Sequence, residues 1–482
     1  MKNIIKNSYR VVLSSIITKI SNLFILSSLS RLLSKSELGL YNIYINTGTS
    51  FNQLLDFGLT IQMQRITAKY NSGNKSILGN KIGASLLFLL LINFIFCILI
   101  VLFQKQVASL FFYNNNFNIF LLIPLIFFEG LNQYFLFLII GFGEFKILNN
   151  KNLFYTITSL LIILFSSFYF GYKGALYGYI LSSIINFFIS IYFVKKILKN
   201  NQIHITFINF FSTFFQLLRE GFFYYFGNTL LGSIFGLVTI SVFIKYLNIE
   251  DFTYLRFSGA LNSLINFLPT ALLPLMLTYL SKSNDEETFN LKSIQFRYFT
   301  FFLVVSSLFI IVFLNPIITL LFGKKYLNGF YIITILILVN LFTQITNMFS
   351  NFLISNGQMN YVGKVSFITI LTLIISIYFL VPKYGVNAYL ICYLFTQLVS
   401  LFFVFIKDRT FSFFDNRNTL KLFLPLNLLV ITITVAIKYS IENKFLEMFL
   451  ILIILIFYVI IFFKKHINIY EKNIVNSLNF IK

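Results

Sequence analysis

The chain has 482 residues, of which 58% are hydrophobic and 11% are charged, and its mean hydropathy is +0.85. These values predict a membrane protein with length for a dozen or more helical spans of roughly 20 residues each. The net charge of +22 could suggest nucleic-acid binding, but the basic residues lie in short loops between apolar runs, which indicates membrane topology and no nucleic-acid partner.

Fourteen apolar segments follow one another along the chain and predict an all-α integral membrane protein. Their approximate bounds are residues 11–33, 38–64, 82–103, 117–141, 152–170, 175–194, 221–244, 253–280, 298–321, 329–354, 362–381, 385–406, 422–438 and 445–463. The first is expected to be a retained span, since it is too long for a signal-peptide core and has no small-residue cleavage site. Glycine and proline turn signals separate segments five from six and eleven from twelve.

The distribution of lysine and arginine predicts the orientation. With the N-terminus inside, the inner segments carry 25 of these residues and the outer loops carry 10. Because cytoplasmic loops are enriched in positive charge, we predict that both termini are cytoplasmic in a bacterial inner membrane. An even number of spans agrees with that orientation.

The sequence also predicts an internal repeat. An ungapped offset of 214 residues aligns several pairs: Arg31 with Lys245, Glu37 with Asp251, Leu54 with Leu268, Gly143 with Gly357, Gly171 with Gly385 and Tyr179 with Tyr393. Six spans separate the copies, so the two halves have the same orientation. We predict one six-helix lobe over residues 1–216, a second over 217–408, a central cavity between them, and two further spans over 409–482.

A polar stripe runs along the second segment, which we predict to be one helix from Leu38 to Gln64. Its members recur at steps of three or four residues, the spacing of one helix face: Asn42, Asn46, Thr49, Gln53, Asp56, Thr60 and Gln64. Each unpaired polar group facing lipid costs several kcal/mol, so we expect this face to line a hydrophilic cavity.

Two basic residues lie within predicted spans. Lys19 is near the middle of the first span, on the same face as Asn22, where a lysine costs about 2.5–3.5 kcal/mol on insertion scales. Arg256 is one turn into the eighth span, on a face with Ser263 and Asn266. Because intramembrane charges are usually functional, these residues predict a substrate path. The structural alternatives are an ion pair for Lys19 and snorkelling to the outer surface for Arg256.

Two acids are candidates for ion or proton coupling. Asp56 lies about two turns before the inner end of the second span, and Glu129 lies in the fourth span beside Asn132. An interfacial position near Arg65 is the alternative for Asp56, and interhelical hydrogen bonding alone would explain the amides.

Cysteine and histidine give no sign of a metal or cofactor. Cys97 and Cys392 both lie in apolar runs, which argues against a disulfide framework or a metal site. His204 and His466 are far apart in basic loop or tail sequence. We therefore predict no cofactor and no metal.

Several motifs identify a resemblance. The run RLLSKSELGLYNIY, followed by LLDFGL and QRITAKY, resembles the first two spans of bacterial polysaccharide-biosynthesis flippases of the multidrug/oligosaccharidyl-lipid/polysaccharide exporter superfamily. GFGEFKILNN and GYKGALYGYILS resemble their fifth and sixth spans, and NPIITLLFGKKY, NFLISNGQMNYVGK and VPKYGVNAYL resemble their ninth to twelfth. A departure is Asn387-Ala388, where many members have a Gly-Ala pair such as Gly174-Ala175.

The resemblance implies a flippase and not an enzyme. Such a carrier turns a polyprenyl-pyrophosphate-linked oligosaccharide from the cytoplasmic to the outer leaflet for O-antigen or capsule synthesis, by alternating access, with polysaccharide polymerases as candidate partners. Lys19 and Arg256 would then attract the pyrophosphate, and the amide and hydroxyl stripes would hydrogen-bond sugars.

Two other functions are weighed against this one. A cation-coupled multidrug exporter of the same superfamily would share the fold, but it would be expected to have acids rather than a lysine in the first span. A membrane-embedded glycan polymerase would need a clustered catalytic set and usually a long outer loop, and the sequence has neither.

Overall fold

The computed structural model describes residues 2–70, 74–111, 119–267, 269, 285–355, 358–409, 427, 429–430, 433 and 444–465. Within these ranges the chain forms fifteen α-helices and no strand. They are α1 Lys2–Leu32, α2 Lys35–Leu55, α3 Leu59–Tyr70, α4 Lys75–Leu102, α5 Gln104–Phe111, α6 Leu122–Gly141, α7 Phe145–Asn200, α8 Phe210–Tyr224, α9 Leu231–Tyr246, α10 Ile249–Ile265, α11 Asp285–Val312, α12 Leu314–Leu321, α13 Phe330–Ser355, α14 Met359–Arg409 and α15 Lys444–Lys465. A π-helix, Tyr225–Leu230, joins α8 to α9, and 3₁₀ turns cover Ile119–Leu121 and Lys324–Gly329.

Within the described part of the chain, seven helical stretches are long and apolar enough to cross a membrane. Two of them, in α7 and α14, are about twice the necessary length. Each bends at a glycine, Gly171 with φ 58° and ψ −142° and Gly385 with φ 66° and ψ −150°, so each provides two crossings. The bends lie at the predicted glycine turn signals. The all-α membrane fold is confirmed, while most of predicted span 422–438 lies outside the described residues.

Helix boundaries recur at the 214-residue offset. Three pairs of positions match: the last residues of α1 and α9 are Leu32 and Tyr246, the N-caps of α2 and α10 are Ser34 and Asn248, and the first residues of α7 and α14 are Phe145 and Met359. These correspondences support the repeat. The division into lobes at residues 216 and 408 stays a prediction.

The helix predicted from Leu38 to Gln64 is interrupted. α2 ends at Leu55 and α3 begins at Leu59, and between them Phe57 and Gly58 have positive φ angles of 50° and 73°. The prediction of one continuous helix was wrong. The sequence pattern does not show the break, because both halves are helical and the spacing of the polar residues continues through the turn. Residues after the turn therefore belong to a separate helix with its own direction.

α2 lies at the centre of the bundle. It packs against α6 and α7 of the first predicted lobe and against α9 and α10 of the second. The approach to α9 is close, since a Cβ on Gly236 would lie 2.6 Å from the Ser50 hydroxyl oxygen. α1 packs against α7 and α10, so it too bridges the lobes.

Candidate functional site

Both predicted lobes are joined where α1 ends and α2 begins, at the end of the bundle that the charge distribution predicts to face outward. We call this set of contacts the outer seam. It comprises hydrogen bonds from Ser27 Oγ to the Leu321 carbonyl, from Ser30 Oγ to the Phe322 carbonyl (3.2 Å), from Arg31 to the Leu320 carbonyl and from Lys325 Nζ to the Leu33 carbonyl (2.8 Å), together with the ion pair of Lys35 and Glu250 (3.4 Å). The seam holds α1 and α2 against elements of the second predicted lobe at this end of the bundle.

Gly39 allows α2 to meet α10 at this seam. A Cβ built on Gly39 would lie 2.7 Å from both the carbonyl oxygen and the Cγ2 atom of Ile249. A Cβ atom essentially never comes that close to a non-bonded atom, so the closed seam leaves no room for a side chain at this position.

Lys19 is half-buried on α1, and Asn22, one turn later, is exposed. Lys19 precedes the end of α1 at Leu32 by 13 residues, or about 20 Å of helix. The lysine is thus well inside the helix, as predicted, on an element that packs against both lobes.

Arg256 is partly exposed on α10 and interacts electrostatically with the buried hydroxyl of Tyr41 on α2. The other two residues predicted on its face have their own partners. Ser263 donates a hydrogen bond to the carbonyl of Ala260 at 2.7 Å. Asn266 forms a reciprocal amide pair with Asn340 of α13, with distances of 2.8 and 3.1 Å. Arg256 and Ser263 are both partly exposed on α10, whereas Asn266 is buried in its pair with Asn340.

The polar stripe of α2 divides into two parts. Asn46 is partly exposed and Gln53 is exposed, so both amides can meet a ligand. Asn42 is fully buried, and neither of its amide atoms has a hydrogen-bond partner among the described residues. Asn52, off the stripe, is also buried with no partner in that part of the chain.

Asp56 caps α3. Its carboxylate accepts hydrogen bonds from the Thr60 backbone N–H at 3.2 Å and from the Thr60 hydroxyl at 2.9 Å. A carboxylate at this position satisfies a free N–H of the first turn and complements the helix dipole. The structure thus provides a local role for Asp56 at the turn, beside the predicted role in ion coupling.

Glu129 lies in a polar cluster with a residue that the sequence prediction missed. It accepts a hydrogen bond from Ser183 Oγ at 2.6 Å and interacts electrostatically with Lys151, which is only 2% exposed. Lys151 was placed in a loop because the predicted span began at 152, whereas α7 begins at Phe145. The sequence feature that could have revealed Lys151 is its position four residues before Tyr155, which puts both side chains on one helix face.

Tyrosines extend this cluster towards Arg256. Tyr155 is hydrogen-bonded to Ser182, and Tyr179 interacts electrostatically with both Glu129 and Arg256. Tyr179 stands on the far side of the Gly171 bend from Tyr155. The cluster therefore links a partly buried acid of the first predicted lobe to a basic residue of the second.

Comparison with known sequences finds a family match in the N-terminal half of the chain. A family model described as polysaccharide biosynthesis protein matches residues 4–235. The match covers just under half of the chain. It includes nearly all of α1, the turn at Asp56 and the Glu129 cluster, and it supports the resemblance that the sequence motifs indicated. No curated protein sequence matches the chain significantly.

Solved structures share the fold. A structure described as lipid II flippase MurJ in the inward closed conformation is 18% identical, with a TM-score of 0.70, and the alignment covers 96% of this chain and 100% of that one. A MOP superfamily transporter from Pyrococcus furiosus is 15% identical, with a TM-score of 0.59 and coverage of 85% and 96%. An inward-facing MATE family transporter of the same superfamily is 14% identical, with a TM-score of 0.60 and coverage of 85% and 99%. The chain has the multi-pass membrane fold of this superfamily.

Proposed function

We propose that this protein is a flippase that moves a polyprenyl-pyrophosphate-linked oligosaccharide repeat unit from the cytoplasmic to the outer leaflet for surface polysaccharide biosynthesis. The observation that carries the proposal is the position of Lys19 and Arg256 on α1 and α10, which pack against each other although they belong to different predicted lobes. The family match and the similarity to a protein described as a lipid II flippase support it.

The chemistry of the substrate matches these residues. A pyrophosphate-sugar head must cross about 30 Å of hydrocarbon, and therefore needs polar partners, while its lipid tail can stay in the bilayer. The ammonium of Lys19 and the guanidinium of Arg256 are both suited to phosphate oxygens. Exposed Asn22 and Gln53 and partly exposed Asn46 offer amides for sugar hydroxyls.

The two cations lie at different depths. Lys19 is about 20 Å of helix from the outer end of α1, whereas Arg256 follows the start of α10 by seven residues, or about 10 Å. With the outer seam closed, the pyrophosphate would meet Lys19 first and Arg256 later. Opening of the seam would then release the head group outward, as alternating access requires.

Glu129 is the better candidate for ion or proton coupling, because the carboxylate of Asp56 already caps α3. We place the protein in a bacterial inner membrane with both termini in the cytoplasm, on the strength of the charge distribution. A polysaccharide polymerase that accepts the flipped repeat unit is its proposed partner.

Export of surface polysaccharide in cells tests the proposal. Lys19→Ala should abolish export at unchanged protein abundance, and Lys19→Arg should retain part of it. Lys105→Ala, which changes an exposed lysine of α5, is the matched control and should export normally. Normal export by the Lys19→Ala variant would remove Lys19 from the substrate path. If Arg256 only reaches to the outer surface, Arg256→Gln will work nearly as well as the parent.

The second candidate function is cation-coupled multidrug export, which the similarity to MATE transporters favours. The two functions predict different cellular outcomes. Loss of the flippase would remove surface polysaccharide and leave drug resistance unchanged, whereas loss of an exporter would sensitise cells to cationic drugs. Drug sensitivity with intact polysaccharide would reject the flippase proposal.

A further inference from the structure

The connection between α7 and α9 is held firmly against α4. The backbone of residues 204–206 crosses two glycines of α4: a Cβ on Gly79 would lie 2.0 Å from the His204 carbonyl oxygen, and one on Gly83 would lie 2.2 Å from that of Thr206. α8 follows along the same helix, since Asn80 Nδ2 donates to Thr213 Oγ1 at 3.0 Å. This connection therefore has a fixed inner face.

The outer face of this connection between α7 and α9 is apolar. Phe207, Phe211 and Phe215 recur every four residues and are 54%, 73% and 64% exposed, and Ile208 is 63% exposed. The inner face of α8, by contrast, contains Phe214, whose ring stacks on that of Phe88 of α4 at 4.1 Å. The helix is thus anchored on one side and presents a row of phenylalanines on the other.

Basic residues flank this row of phenylalanines in the sequence, and no acidic residue lies among them. Lys195, Lys196 and Lys199 are exposed at the end of α7, and Arg219 is exposed near the end of α8, one further step of four beyond Phe215. The sequence contains no Asp or Glu between Glu144 and Glu220. The positive charge of this region is therefore not neutralised along the chain.

Helix length places α8 at a membrane boundary. α8, the π-helix and α9 together cover residues 210–246, which at 1.5 Å per residue is about 55 Å, well beyond a hydrocarbon core of about 30 Å. The stretch Tyr225–Tyr246 alone is long and apolar enough to cross. α8 then lies beside the first four turns of α4, where it contacts Asn80 and Phe88, next to the head groups of one leaflet.

We propose that Lys195, Lys196, Lys199, Phe211, Phe215 and Arg219 form a binding surface for anionic phospholipid. The phenylalanine rings enter the acyl boundary, and the basic side chains contact phosphate groups above it, which is the pattern of an interfacial amphipathic helix. The surface lies on the connection between the predicted lobes, so lipid binding fixes this connection relative to α4. The proposal does not depend on what the protein transports.

The expected effect follows from the charges. Each lysine near an anionic surface strengthens attraction about fivefold, so three of them give a preference for anionic over zwitterionic lipid on the order of 100-fold. Since ionic strength screens exposed charges over about 8 Å at physiological salt, the preference should fall as salt is raised.

The chain contains no tryptophan, which provides a direct experiment. The variant Phe211→Trp places a single fluorophore at the most exposed position of the row. The full-length protein is reconstituted in vesicles of phosphatidylcholine and phosphatidylglycerol, in which either one or the other lipid is brominated. Brominated phosphatidylglycerol should quench the fluorescence more strongly than brominated phosphatidylcholine at equal mole fraction.

Two triple variants complete the test. Neutralising Lys195, Lys196 and Lys199 to glutamine should abolish the difference between the two brominated lipids. The control neutralises the same number of exposed lysines elsewhere: Lys105, Lys173 and Lys383. It should preserve the difference. Equal quenching by both lipids in the parent would overturn the proposal, and so would absence of quenching by either, which would mean that the row faces water or a protein.

Discussion

Substitution of Gly39 by alanine should open the outer seam. The new methyl carbon would lie 2.7 Å from the Ile249 carbonyl oxygen, a backbone atom that cannot move unless α10 moves with it. Overpacking of this kind costs about 1–3 kcal/mol, and here the cost applies only to the state in which α2 and α10 touch. The ratio of closed to open protein should therefore fall by roughly 5- to 150-fold.

Reaction of a buried cysteine measures this opening. Ser30 is fully buried at the seam, so Ser30→Cys in a background without Cys97 and Cys392 provides a reporter for a membrane-impermeant thiol reagent added from outside. Labelling of the Gly39→Ala variant should be faster than that of the parent by about the same 5- to 150-fold factor, because the reagent reacts only with the open state.

A second glycine provides the control. A Cβ on Gly259 of α10 would have no atom within 4 Å, so Gly259→Ala should leave the labelling rate unchanged and stabilise the helix by up to about 1 kcal/mol. Equal labelling of the Gly39 and Gly259 variants would refute the reasoning. Labelling only by reagent supplied from the cytoplasmic side would instead reverse the predicted orientation.

Three further changes probe the interior. Glu129→Gln and Lys151→Met should each lower the free energy of unfolding, and the double variant should lose less than the sum by roughly 0.5–3 kcal/mol, the usual coupling of residues that interact; additive losses in denaturant titrations would show that the two charges are not coupled. Asp56→Ala should cost about 1 kcal/mol through loss of the α3 cap, whereas Asp56→Asn should keep most of it, so that a transport defect at full thermal stability in the Asn variant would indicate a role for the charge. Gly171→Ala should lower the thermal midpoint, because a φ of 58° with ψ of −142° costs any other residue about 1–3 kcal/mol; an unchanged midpoint would contradict the bend.

Much of the fold could be predicted from the sequence. The apolar segments, the glycine turns at positions 171 and 385 and the 214-residue offset all have counterparts in the helices, because a bilayer permits few alternatives to long apolar helices. The interruption of the second span could not be derived from periodicity, since Asp56 and Thr60 keep helical spacing on both sides of the turn. Gly58 was the local signal, and a lone glycine does not distinguish a break from a tolerated helix interior.

The candidate site was predictable only in part. Lys19 and Arg256 stand out because charges within apolar runs are rare. The partners of Asn266 and Glu129 come from helices 50 or more residues away, so no local pattern could indicate that one amide was paired with Asn340 and one acid with Ser183. Lys151 was missed because a lysine near the end of a span resembles a loop residue until its burial is known.

The 214-residue offset also relates two buried amides that differ in their hydrogen bonding. Asn266 corresponds to Asn52, and its partner Asn340 corresponds to Ile126, so the position that matches one member of a hydrogen-bonded pair holds an amide with no partner among the described residues. An unmatched buried amide costs about 1–3 kcal/mol. Movement around Asn52 therefore breaks no amide pair, whereas movement around Asn266 separates two hydrogen-bonded amides. When the protein changes shape, the helices should shift more easily around Asn52 than around Asn266.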